Sequence, residues 1–265
     1  MARAVHDGGA GLSRLQRSRP MQNATYVALS SQVALQRQMD VVANNLANLS
    51  TPAFKGEEML FSQYLVRPRG TPPLAFVQDV GTARDLRPGP LSKTGNPLDL
   101  ALNGAGYFGV QTPLGTRYTR NGHFQLDAQG QIVTSQGYPV LSDGGQPIAV
   151  PPNAKDIAIG ADGTISVSQD GTTSSSPVGK LQIVNFAQPQ AVTPAANGLY
   201  LTDQAPDPAP RTTVQQGMIE EANVQPVVEL TRMMAIARVS GSVKDFLDEE
   251  STRQRNTIDK LAKFS

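Results

Sequence analysis

Between Asn23 and Leu49 the apolar positions recur with the period of a helix. Leu35, Met39, Val42, Leu46 and Leu49 follow alternating steps of four and three, the spacing of a coiled-coil seam. Traced backwards, the seam meets Gln32 and Ala28 and weakens, while Leu29 and Val33 broaden the stripe. No proline or glycine interrupts it until Pro52, whose predecessor is steered away from helical geometry. The far end of the chain carries a second pattern of this kind. Val227, Leu230, Met234 and Ala237 form one seam, and Ile236, Val239, Val243 and Phe246 continue it with a register shift near Gly241. A polar stretch from Asp248 to Asn256 follows before Ile258, Leu261 and Phe264. Pro226 suits the first turn, with Asn223 or Gln225 as cap candidates. Glu220, Glu221 and Glu229 early, with Lys260 and Lys263 late, complement the helix dipole.

Between these helices the period drops to two. Short runs such as LDLAL (98–102), YFGVQT (107–112), QIVT (131–134), TISV (164–167), KLQIVNF (180–186) and LYL (199–201) are bounded by turn residues. Asn-Gly occurs at 103–104, 121–122 and 197–198, and Asp-Gly at 143–144, 162–163 and 170–171; both tolerate the positive φ of tight β-turns. TRYTR, Asn121-Gly122 and HFQLD make the clearest predicted hairpin. The Pro-rich segments 66–97 and 202–216 read as connectors, and 171–177 as an exposed loop. A lone amphipathic helix cannot hide its own apolar stripe, so the two terminal helices are expected to pack on each other or on neighbouring copies. The expected fold is α+β: N- and C-terminal helices pairing as a coiled coil around an antiparallel all-β middle. Its expected divisions are a disordered tail over 1–20, a helix over 21–55, a connector over 56–97, the β domain over 98–201, a linker over 202–216 and a helix over 217–265. Met21, directly before the first patterned segment, is expected to be the native start.

Composition narrows the function. Twenty-three basic residues against 22 acidic ones give no field that calls for nucleic acid. The absence of cysteine removes disulfides, thiol nucleophiles and Cys-held zinc or iron–sulfur centres. His6 and His123 are the only histidines, too few for a His-built metal site. No run approaches the length of a membrane helix, so no membrane insertion is expected.

Candidate chemistry fares poorly. Gly104-Ala105-Gly106-Tyr107-Phe108-Gly109 fits GxGxxG with Asp127 beyond it, but the glycines lead into a strand where a dinucleotide site needs a helix. His123 has Asp99 and Asp127 nearby in sequence, yet no GxSxG or HExxH accompanies it. Alternation places His123 with Gln125 on one face and Phe124 with Leu126 on the other, so His123 is expected to face solvent. Paired aspartates for glycoside hydrolysis reduce largely to turn residues, since Asp143, Asp162 and Asp170 each precede glycine. The chain is therefore expected to be no enzyme, with no catalytic residue, cofactor or metal.

Residues 43–55, ANNLANLSTPAFK, resemble the ANNLANxxTxGFK element of the axial proteins of the bacterial flagellum, the rod, hook and hook-associated proteins. Residues 96–110 and 118–141 resemble the β-domain core of the rod and hook proteins, and 217–238 resemble their entry into the C-terminal helix. The blocks fall in the family's order, and the opening segment and length from Met21 are most similar to the proximal-rod type, with the distal-rod type as runner-up. Ala53 stands where the family carries glycine, so a less left-handed turn is expected there.

This resemblance implies a structural subunit of the basal-body rod in the periplasmic space. It implies passage through the flagellar type III export apparatus, self-assembly with copies of itself and with proximal and distal rod proteins, and transmission of torque to the hook. The assembly interface it suggests comprises Leu35, Met39, Val42 and Leu46 with Val227, Leu230, Met234 and Ala237. Asn44, Asn45 and Asn48 would supply side-chain hydrogen bonds, because three asparagines in five positions are poor helix formers. Phe54 would anchor the chain as it leaves the helix. The competing reading is a secreted β-rich adhesin or carbohydrate-binding oligomer.

Overall fold

A computed structural model describes residues 19–66, 74–169 and 175–262. Two long helices stand at the ends of this range, α1 (Arg19–Ala47) and α2 (Pro226–Ala262). Pro226 opens α2, where its missing N–H and fixed φ cost nothing. Between them run β1 (Glu57–Val66), β2 (Leu74–Arg84), β3 (Leu91–Lys93), β4 (Leu100–Asn103), β5 (Tyr107–Thr112) and β6 (Gly115–Thr119). β7 (Phe124–Leu126), β8 (Ile132–Thr134), β9 (Ala154–Ile159), β10 (Thr164–Gln169), β11 (Ser175–Lys180) and β12 (Ile183–Asn185) follow. The last strands are β13 (Thr193–Pro194), β14 (Leu199–Leu201), β15 (Asp207–Pro208), β16 (Thr213–Gln216) and β17 (Met218–Glu220). The fold is α+β, a β-rich middle between two helices.

The chain divides into two compact units. One holds α1 to Asn44, residues 58–82 and α2 from Val227. The other holds residues 45–57 and 83–226. In the second unit a six-stranded sheet runs in the order β13-β14-β6-β5-β12-β15, and a three-stranded sheet in the order β11-β10-β9. Among the described residues the strand pairs of this unit are all antiparallel, including β16 with β4 and β17 with β3. Both end strands of the larger sheet are two residues long and carry a proline, Pro194 and Pro208, which blunts edge-to-edge pairing. The main core gathers Leu100, Leu102, Phe108, Val110, Phe124, Ile132, Ile165 and Leu181. Phe108 and Phe124 meet edge to face with centroids 5.2 Å apart. A second cluster of Tyr107, Tyr118, Phe186, Val192 and Tyr200 packs beside β5, β6 and β14.

Several expectations change. The segment expected to be a connector carries β1, β2 and β3, because its prolines lie between the strands rather than inside them. The linker expected over 202–216 carries β15 and β16, and β16 closes the flank of β4. α2 begins at Pro226 rather than 217, since residues 218–220 pair as β17 with β3. α1 begins at Arg19, two residues inside the expected tail; the rest of that tail lies outside the described residues. Ser175, Ser176 and Pro177, expected in a loop, belong to β11; residues 171–174 of that loop, and the Asp-Gly at 170–171, lie outside the described range.

The Asn121-Gly122 hairpin does not form: β6 pairs with β5 and β14, and β7 pairs with β8. Gly122 instead lies against β4, where Leu100 N donates to its carbonyl at 2.9 Å and an added Cβ would sit 1.7 Å from Leu100 O. Asp162-Gly163 and Asn197-Gly198 do join paired strands. Ala53 keeps φ at +57° despite its Cβ, so the left-handed turn after α1 persists without glycine.

Candidate functional site: the roots of the terminal helices

In the chain just after α1 and just before α2, three segments distant in sequence meet at one carboxylate. Glu220, last residue of β17, is 2% exposed. Its Oε2 accepts a 2.7 Å hydrogen bond from Arg120 Nε, and its Oε1 accepts from Lys55 Nζ and from Gly89 N at 2.9 Å. Arg120 also donates to Gly106 O at 2.7 Å and Leu102 O at 3.1 Å, and Lys55 to Arg87 O at 2.9 Å. Two buried cations thus share one buried anion, and each side chain is also tied to backbone.

The electrostatics follow from that count. Burial pushes the Glu220 carboxyl up, but the Arg120 charge and hydrogen bonds from Lys55 and Arg120 outweigh it, leaving the carboxyl below its usual range. Burial dominates at Lys55 and holds its ammonium below the usual lysine range, with Arg120 adding repulsion against the pull of Glu220. The attraction secures the anion, which has two partners, more than the lysine, which has half of one.

The backbone around Glu220 closes the same knot. Ala53 N donates to Glu220 O at 2.7 Å, and Asn223 N donates to Phe54 O at 3.2 Å. The Asn223 side chain accepts from Gly56 N at 2.8 Å and donates to Asp85 O and Arg87 O. Asn45, 2% exposed, mimics a strand neighbour: its Nδ2 donates to Glu57 O and its Oδ1 accepts from Glu57 N, both at 2.9 Å. The chain leaving α1 and the chain entering α2 are thereby fastened to one β framework.

The other expected site residues lie as follows. Asn48 Oδ1 accepts from Thr51 Oγ1 at 3.1 Å, and Asn44 is exposed. Leu35, Met39, Leu46 and Phe54 are half-buried and Val42 is buried. On α2 the expected seam faces outward: Val227, Leu230, Met234 and Ala237 are exposed. The covered stripe consists of Glu229, Met233, Ile236, Ser240, Val243, Leu247 and Glu250. An apolar pattern misses it because glutamate and serine occupy three of its positions. Lys55 and Arg120 also escape the sequence reading, and Glu220, expected to complement the dipole of the C-terminal helix, lies instead at the end of β17, outside α2. Each sits inside one of the three recognised blocks, and their charge reads as solvated surface until the fold brings them together.

His123, half-exposed, brings its Nδ1 to 2.6 Å from Asp99 Oδ1, and Asn96 Nδ2 donates to the same oxygen. The Asp99 carbonyl accepts from Gly217 N at 2.8 Å, so this pair fixes a junction of strands. Among the described residues no three His, Cys, Asp or Glu gather as a metal would need.

Comparison with known proteins agrees block by block. Residues 26–55 match the family described as flagella basal body rod protein, 101–167 the FlgE/F/G D1 domain of the flagellar hook protein, and 215–239 the C-terminal part of the flagellar basal body rod FlgEFG protein. A flagellar basal-body rod protein FlgF of Caulobacter vibrioides is 38% identical over 92% of this chain and all of its own length. The FlgF of Escherichia coli is 36% identical over 82% of this chain and 90% of its own. A FlgG of Buchnera aphidicola is 35% identical over 77% and 86%. The shared blocks are those that meet at Glu220, and the chain belongs to the flagellar basal-body rod proteins of the FlgE/F/G family.

Proposed function

We propose that this chain is a structural subunit of the bacterial flagellar basal-body rod, in its proximal part, and that its two terminal helices pair as a coiled coil. The observation that carries the assembly reading is the outward apolar face on both helices, and the covered stripe of α2 supports their pairing. On α1, Tyr26, Leu29 and Val33 are 63%, 53% and 49% exposed, spaced as one helical face. On α2, Val227, Leu230 and Met234 are 75%, 45% and 62% exposed, again along one face. Apolar rows of this kind mark surfaces that other chains cover. Head-to-tail contacts between such faces extend into open helical arrays when the rotation does not close.

The knot at Glu220 suits a load-bearing part. Force entering through the helices passes through two ion pairs and a set of backbone hydrogen bonds into the β framework. FlgF names among the relatives support the proximal position, and copies of this chain together with other rod proteins are its partners. Passage through the flagellar type III export apparatus fits a chain with no cysteine to crosslink. Met234→Asp tests the reading, because the residue is outward-facing and the fold should tolerate the charge. Cells carrying it are expected to export a folded, soluble subunit yet build no complete rod and not swim; normal swimming would refute the proposal.

A further inference from the structure

From Pro226 to Glu250 seven residues of α2 are covered and all the others are exposed. Glu229, Met233, Ile236, Ser240, Val243, Leu247 and Glu250 follow each other in strict steps of four and three. This is a heptad seam whose two ends are acids, 5% and 3% exposed and three heptads apart. Each carboxylate is met by an arginine three residues further on. Arg232 Nη1 donates to Glu229 Oε1 at 3.1 Å, and its Nη2 to Glu58 Oε1 of β1 at 3.2 Å. Arg253 Nη2 donates to Glu250 Oε2, with Gln254 Nε2 at 3.3 Å from Oε1. Both arginines are about half-exposed, at 46% and 57%, so their heads reach water while the acids do not.

We infer that Glu229 and Glu250 are register keys, setting where α2 sits along its helical partner at the expense of some stability. The inference rests on the helix pairing proposed above and names the residues that make it specific. Met233, Ile236, Val243 and Leu247 are interchangeable as apolar fillers, so alone they would let α2 slide by a heptad. A slide carries one glutamate–arginine pair from its end toward the middle of the seam. There the arginine loses water, and desolvation of two ions outweighs their attraction. It also parts Arg232 from Glu58. Polar groups at single seam positions specify register by this penalty.

The test uses the full chain with nitroxide labels at exposed Gln36 of α1 and exposed Lys244 of α2, read by pulsed dipolar spectroscopy. The wild type is expected to give one narrow distance. Glu229→Leu/Glu250→Leu is expected to keep its helical circular dichroism and an unchanged or higher Tm. Its labels should give two or more distances, separated by up to about 10 Å, the rise of one heptad. A single unchanged distance in the double variant overturns the inference while leaving the helix pairing intact. Loss of helicity in that variant also overturns it, because the acids would then be holding the helix rather than aligning it. A broad distribution in the wild type removes the pairing itself, and the inference with it.

Discussion

Arg120 Nε lies 2.7 Å from Glu220 Oε2, joining residues 100 positions apart inside the β framework. The third member, Lys55, reaches the other oxygen of the same carboxylate. The arrangement is asymmetric, and so are its expected mutants. Without Lys55, Oε1 keeps the Gly89 N–H and Arg87 O keeps the Asn223 amide. Lys55→Met should therefore change stability by no more than about 1 kcal/mol. Without Arg120, Oε2 loses its donor and two carbonyls lose theirs. Arg120→Met and Glu220→Gln should each cost about 3–5 kcal/mol, because each strands a buried charge. Urea denaturation of the three full-length variants checks the order.

The pH dependence follows from the same groups. Glu220 titrates lower in the folded chain than in the unfolded one, so its stabilisation is present above the unfolded value and fades as pH falls through the acid range. Lys55 also titrates lower when folded, so the unfolded chain holds the extra proton and the Lys55 contribution to stability rises with pH on the alkaline side. Urea midpoints of the wild type should climb through the acid window. On the alkaline side Tyr107, Tyr118 and Tyr200, whose hydroxyls burial pushes up, pull stability down against the Lys55 contribution, which is read as the difference between wild type and Lys55→Met. The acid limb should flatten in Glu220→Gln, and the alkaline limb should fall more steeply in Lys55→Met.

Ala53 holds a left-handed conformation that costs an L-residue about 1–2 kcal/mol. Ala53→Gly removes that strain and adds backbone freedom to the unfolded chain, worth about 0.4–1 kcal/mol in the other direction. A net stabilisation of up to about 1 kcal/mol is expected from thermal or urea melts.

Asn45 satisfies both backbone groups of Glu57 from a buried position. Asn45→Ala leaves them without that partner and should cost about 2 kcal/mol. Amide exchange should accelerate first at the start of β1, which a uniform loss of stability would not produce.

How far the chain could be read from its residues depended on what each signal encodes. Helical periodicity located α1 and α2, since burial of one face requires it. The strands around Phe108, Ile132 and Ile165 were legible from alternation. Pairing was not: Asn121-Gly122 specifies a turn, but Gly122 is glycine because Leu100 O passes beside it, a contact made by the tertiary fold. The outward α2 seam was legible and the covered one was not, because Glu229, Ser240 and Glu250 interrupt it chemically while continuing it geometrically. Lys55 and Arg120 were invisible, and Glu220 was assigned to a helix dipole, for a related reason. A charge in a sequence looks solvated until its partners, far along the chain, are brought against it.

The claim on which the account rests is that α2 meets α1 of its own chain through the covered stripe and meets other chains through the outward one. Disulfide crosslinking in intact basal bodies tests it directly. Cysteine at Ile236 is scanned against cysteines at the covered Ala34, Leu35, Gln38, Met39 and Val42, and cysteine at Met234 against cysteines at the outward Tyr26, Leu29 and Val33. Ile236 is expected to crosslink to α1 within one chain, and Met234 to join separate chains. Crosslinks from Ile236 that join only separate chains, or none to α1 at all, would contradict it.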